Sequence, residues 1–139
     1  MDCGIIPQKS YKELINVEFQ KIEENGRVIA VVRSDVQVIT DVQSGLDLLM
    51  SAKYTAGTKD IAVDKTLVCD DFFVLSTRLA GEVLQKFINY GGRIAIYGDF
   101  SGCTSKPLRD FIYESNQGRD VFFVSTEAEA VAKLASRSL

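Results

Sequence analysis

Apolar residues change their spacing several times along the chain, and each change marks an element. From Leu14 to Glu24, Ile15, Val17 and Phe19 alternate with Asn16, Glu18 and Gln20, the period of two expected of an edge strand with one solvated face. Asn25-Gly26 then supplies the two positive-φ positions of a type I′ turn. Beyond it, Arg27 to Arg33 enclose the unbroken run Val28-Ile29-Ala30-Val31-Val32, the second strand of a hairpin, buried on both faces. After a connection through Ser34 to Thr40, Asp41 caps a helix in which Val42, Leu46, Leu49 and Met50 recur at helical spacing until Gly57 ends it.

The stretch from Asp60 to Cys103 carries the centre of the fold. Ile61-Ala62-Val63 predicts a buried strand and Ile94-Ala95-Ile96-Tyr97 another, with a Gly91-Gly92 stop before it. Between them Leu79, Ala80, Val83, Leu84 and Phe87 form the apolar stripe of a helix, and Glu82 and Lys86 an i,i+4 pair on another face. This βαβ order makes the two strands parallel. Two starts for the helix stay open: Asp70 and Asp71 can cap it, or Phe72 to Leu75 is an apolar loop and the helix begins near Ser76. After the loop Gly98-Asp99-Phe100-Ser101-Gly102, Ser105 or Lys106 caps a third helix with Pro107 in its first turn, Leu108, Phe111 and Ile112 on its buried side, and Gly118 at its close. Val121-Phe122-Phe123-Val124 is the last strand, and the capping box Thr126-x-x-Glu129 opens a final helix with Ala130, Val131 and Leu134 inward. The order β-β-α-β-α-β-α-β-α describes one α/β domain over residues 14–139: a mixed, mostly parallel five-stranded sheet with four helices, after a loosely ordered leader over 1–13.

Composition narrows the chemistry. A chain of 139 residues at 46% hydrophobic builds one core. A net charge of -3 gives no long-range attraction to phosphate backbones or anionic membranes, so neither nucleic acid nor membrane is expected as a partner. Cys3, Cys69 and Cys103 are odd in number and lack C-x-x-C spacing, which fits free thiols in a reducing compartment and predicts a cytoplasmic protein. Met1 to Lys12 lacks the features of a signal peptide. The chain has no histidine, so no Ser-His or Cys-His pair and no imidazole metal ligand can form. No catalytic residue, metal ligand or cofactor is assigned, and an enzyme is the less expected class.

Two sets of residues still invite a functional reading. Asp64 and Asp99 fall at the carboxyl ends of the central strands, where open α/β sheets hold ligands, and two acids there, with Asp70 or Asp71 nearby, suit Mg²⁺ or a polar substrate group. Asp is equally the ordinary residue for turning a strand into a loop. The adjoining loop, with Ser101, Gly102, Ser105 and Lys106 ahead of a helix, suits a phosphate, although it lacks the spacing of a P-loop. The second set is Ser76 and Thr77, where a phosphate at a helix start adds about -1.5 to -2 charges beside backbone donors. As caps, the same residues need no such role.

Two resemblances bear on this. Asp70-Asp71-Phe72-Phe73, Leu79-Ala80-Gly81-Glu82, Gly98-Asp99-Phe100-Ser101-Gly102 and Leu108-Arg109-Asp110-Phe111-Ile112-Tyr113-Glu114-Ser115 make the stretch from Leu67 to Val124 resemble the bacterial domain-of-unknown-function family 4180. The likeness extends back to about Val17 and implies a fold without an assigned activity. More distantly, the element order is similar to that of the sulfate-transporter and anti-sigma-factor-antagonist (STAS, SpoIIAA-like) domain. Ser76-Thr77-Arg78-Leu79 stands where that family has Ser-Ser-Gly-Leu, with Leu75 in place of its preceding Asp. That likeness implies a serine phosphorylated by a partner kinase to switch protein binding. The leading expectation is therefore a regulatory, protein-binding domain with a protein partner, switched by modification or ligand at the loops after the central strands. Its rivals are a metal- or phosphate-dependent enzyme using Asp64 and Asp99, and a homo-oligomeric structural module associating through the first hairpin or a patch around Phe72 and Phe73.

Overall fold

The hairpin turn adopts the backbone its sequence asks for: Asn25 and Gly26 have φ of 56° and 77°. In the computed structural model, which describes residues 17–103 and 105–136, they join β1 (Glu18–Glu24) to β2 (Arg27–Arg33) as an antiparallel pair. The expected leader and the first residues of the expected strand, Leu14 to Asn16, lie outside the described residues. The remaining elements follow as α1 (Val42–Ala56), β3 (Asp60–Asp64), α2 (Leu79–Asn89), β4 (Arg93–Tyr97), α3 (Lys106–Asn116), β5 (Val121–Val124) and α4 (Glu127–Ala135). The strands lie side by side in chain order, β1-β2-β3-β4-β5, and every pair after the first is parallel.

Three successive right-handed crossovers in one direction place α1, α2 and α3 on the same face. There Ala30, Val32, Ile61, Val63, Ile94, Ile96, Val121 and Phe123 pack under Leu48, Leu49, Ala52, Val83, Leu84 and Phe87, with Phe111 and Ile112 of α3 against them. On the other face Ile29, Val31, Ala62, Ala95, Tyr97 and Phe122 meet Ala130, Val131, Leu134 and Ala135 of α4. Because both faces are covered, β1 does not keep one wet face. Phe19 packs into the first cluster and Ile22, of opposite parity, into the second.

Local chemistry accounts for the helix ends. Asp41 accepts from the Ser44 amide while the Ser44 hydroxyl accepts from the Asp41 amide, and Gly57 closes α1 at φ 71°. Ser105, rather than Lys106, caps α3. That helix ends at Asn116, and Gly118 lies in the turn beyond, its amide bonded to the Ser115 carbonyl. Thr126 and Glu129 form the expected box at α4. The open question between Val63 and Leu79 has a third answer. Three short 3-10 turns, Lys65–Leu67, Asp70–Phe73 and Leu75–Thr77, occupy the segment, and α2 starts only at Leu79 because Arg78 takes a left-handed φ of 67°. At the amino ends of the strands the buried Asp60 carboxylate meets Arg27 at 3.2 Å and Arg93 at 3.7 Å.

Candidate functional site at the carboxyl ends of the strands

The strand ends after β2, β3, β4 and β5 gather the connections that carry almost all the candidate residues. Each of the two aspartates is held by the turn it starts. Asp64 Oδ1 accepts from the amide and the hydroxyl of Thr66, both at 2.8 Å. Asp99 Oδ1 accepts from the Ser101 amide at 2.9 Å and the Ser101 hydroxyl at 2.6 Å, and these bonds, with the nearby Lys65 ammonium, hold its carboxyl below the usual range. Among the described residues, no three of the Cys, Asp and Glu side chains come together as a metal site would require.

Lys65 ties the two central loops to one another. Its ammonium donates to the Asp99 carbonyl at 2.7 Å and lies 5.0 Å from the Phe100 ring centre and 5.9 Å from that of Phe73. Its stem crosses Gly98, which has φ 155° and where an added Cβ would stand 2.7 Å from Lys65 Cβ. Beneath, Phe72, Phe73, Phe100, Phe123 and Phe111 form a chain of ring contacts with centres 5.1 to 6.0 Å apart. Phe72 is buried in the core and Phe73 half-buried, so Phe73 and the exposed Val74 carry what reaches the surface of the apolar patch expected around them.

The phosphate-type residues follow in the loop and at the start of α3. Gly102 has open space around it, the Ser105 hydroxyl accepts from the Leu108 amide, and Lys106 pairs with Asp110 at 2.7 Å along the surface of α3. The two switch residues differ from one another. The Thr77 hydroxyl donates to the Asp71 and Val74 carbonyls and accepts from the Leu79 amide, joining the last 3-10 turn to α2. Ser76 is exposed, and its hydroxyl bonds to no described residue.

A further polar group, absent from the sequence expectations, sits on the α4 face of the same edge. Arg33, at the end of β2, grips Glu127 with both terminal nitrogens, at 2.7 and 2.9 Å, and also donates to Gln20 of β1. The Tyr97 hydroxyl donates to Glu127 Oε1 at 3.3 Å. The guanidinium holds the Glu127 carboxyl below its usual range, and Glu127 in turn raises the Arg33 value. Burial pushes the Tyr97 phenol up to about 12, with the negative charges of Glu127 and Asp64 adding to it. Tyr97 therefore stays a donor, and the group fastens the first turn of α4 to β1, β2 and β4. Arg33 and Glu127 are 94 positions apart, and the only local hint is an acid in the first turn of a capped helix.

Among the described residues no helix is long and apolar enough to cross a membrane. Compared with known proteins, the chain matches over residues 24–134 a family model described as a domain of unknown function, DUF4180. That match carries the first of the two resemblances; the likeness to the STAS domain gains nothing from it. No curated protein and no solved structure matches the chain.

Proposed function

The chain belongs to the DUF4180 family, whose description assigns no activity, and from its surface we propose that it is a regulatory protein-binding domain that offers the loops after β3 and β4 to a partner protein. One observation carries this reading. Ser76 stands exposed on that surface with its hydroxyl unengaged by described residues, whereas Asp64, Asp99 and Thr77 each hold a local turn or helix start. A phosphate on Ser76 would place about -1.5 to -2 charges beside the first turn of α2 and change what that surface can bind. Thr77, whose hydroxyl braces the helix start, is the less suited of the two. The free thiols Cys69 and Cys103 support a reducing, cytoplasmic setting for this role.

The metal- or phosphate-dependent alternative fits less well, because Oδ1 of Asp64 and of Asp99 is committed to a local turn and Lys106 is paired with Asp110. Affinity purification of the tagged chain from its own cells, read by mass spectrometry for wild type, Ser76→Ala and Ser76→Asp, tests the proposal. The expected result is a phosphopeptide spanning Ser76 and one partner kept by wild type and Ser76→Ala but depleted about tenfold or more by Ser76→Asp. Equal recovery with all three chains, or no partner with any, overturns it.

A further inference from the structure

The two edges of the sheet are finished differently. At β5 the Asn116 side chain acts as a piece of strand: its amide nitrogen donates to the Phe123 carbonyl at 3.0 Å and its oxygen accepts from the Phe123 amide at 2.7 Å. The outward groups of Phe123 are thereby closed to another chain. At β1 nothing comparable is found among the described residues. Glu24 and Arg27 flank the two-residue turn and close the hairpin with a hydrogen-bonded pair, so Glu18, Gln20, Ile22 and Glu24 exchange bonds with β2. The amides and carbonyls of Phe19, Lys21 and Glu23 consequently point away from the sheet, and no described backbone group bonds them.

We propose that β1 pairs antiparallel with β1 of a second copy of this chain about a two-fold axis at Ile22, joining the two five-stranded sheets edge to edge. The outward-facing positions Lys21 and Glu23 then form the hydrogen-bonded pairs. The side chains select this register. It sets Lys21 opposite Glu23 of the partner subunit, twice by symmetry, and Ile22 opposite Ile22 of the partner subunit. Gln20, which already holds Arg33, comes opposite Glu24 of the partner subunit, bringing a carboxylate toward an amide and a guanidinium. An axis at Lys21 would instead oppose Lys21 with its own copy once and Glu18 with Glu24 twice by symmetry, all like-charge contacts. An axis at Gln20 makes no ion pair. Charges on an edge strand usually discourage pairing; here they forbid one register and complement another.

This pairing uses the hairpin edge and not the loops after β3 and β4, so it stands or falls apart from the Ser76 reading. Sedimentation equilibrium of the full chain tests it with wild type, Lys21→Glu, Glu23→Lys and the double variant carrying both. Both side chains are exposed, so the fold should be kept in each, as far-ultraviolet circular dichroism would verify. Wild type is expected to be a dimer. Each single change sets like charges opposite one another twice and should weaken association about tenfold or more, and the double variant, with the pair reversed, should recover it. A wild-type monomer at every concentration, or single variants that associate as wild type does, would overturn the proposal.

Discussion

Glu127 shows how much one side chain can organise. It accepts two bonds from Arg33 and one from Tyr97, and its position in the first turn of α4 favours its charge. Its carboxyl value is lowered in the folded protein, so its contribution is present above the unfolded value of 4.5 and is lost as pH falls through the folded one. Glu127→Gln is expected to cost about 1 kcal/mol near neutral pH, since the pair is a third exposed and partly screened. Urea unfolding of both chains across pH checks the sign: the difference between them should shrink below pH 4.5, and a constant difference would contradict the assignment. None of this is visible in the sequence, where Arg33 reads as the polar end of a strand and Tyr97 as the last residue of an apolar run. Gly45 was hidden in the same way. Inside a helix glycine costs roughly 1 kcal/mol against alanine, and its reason lies in another element: an added Cβ would stand 2.8 Å from Val83 Cγ1 of α2.

Elements were more legible than the contacts between them. The caps at Asp41 and Thr126, the turn at Asn25-Gly26 and the stop at Gly57 all rest on side-chain and backbone chemistry within a few residues, which is why sequence alone places them. The segment from Lys65 to Thr77 resisted because its 3-10 turns follow the packing of Phe72, and because a left-handed Arg78 has no sequence signal. The role of Asn116 was equally out of reach, as an amide ending a helix does not announce that it will face a strand. Asn116→Leu is expected to cost about 1–3 kcal/mol by leaving two part-buried backbone groups of Phe123 unpaired. It should also bare the β5 edge, so that light scattering on prolonged incubation rises above that of wild type. A variant as stable and as dispersed as wild type would remove Asn116 from that role.

At the scale of the whole molecule, the sheet separates two apolar layers of unequal cover. Among the described residues three helices lie on one, and on the other a single short helix buries two large side chains, Val131 and Leu134, among alanines. Long cationic side chains complete the seal: the guanidinium of Arg93 and the ammonium of Lys133 lie 5.9 and 5.7 Å from the centre of the Phe122 ring. Arg93 also donates to the Leu134 carbonyl at the far end of α4, as Arg33 grips its start. Ending the chain before Glu127 would uncover Ile29, Val31, Ala95, Tyr97 and Phe122 together. The expected outcome is dye binding by exposed apolar surface and loss of a cooperative urea transition. A soluble, cooperatively unfolding, dye-silent fragment would show that α4 is dispensable.

The order β1-β2-β3-β4-β5 also has a consequence for biosynthesis. Every strand joins the one made just before it, so a chain emerging from the ribosome can extend its sheet one parallel unit at a time without waiting for a distant partner. Among the described elements only α4 turns back across what is already built. Until residues 127–135 leave the exit tunnel, the nascent sheet carries one greasy side that no other described element covers. An apolar face left open for that interval is the kind of surface that chaperones cover.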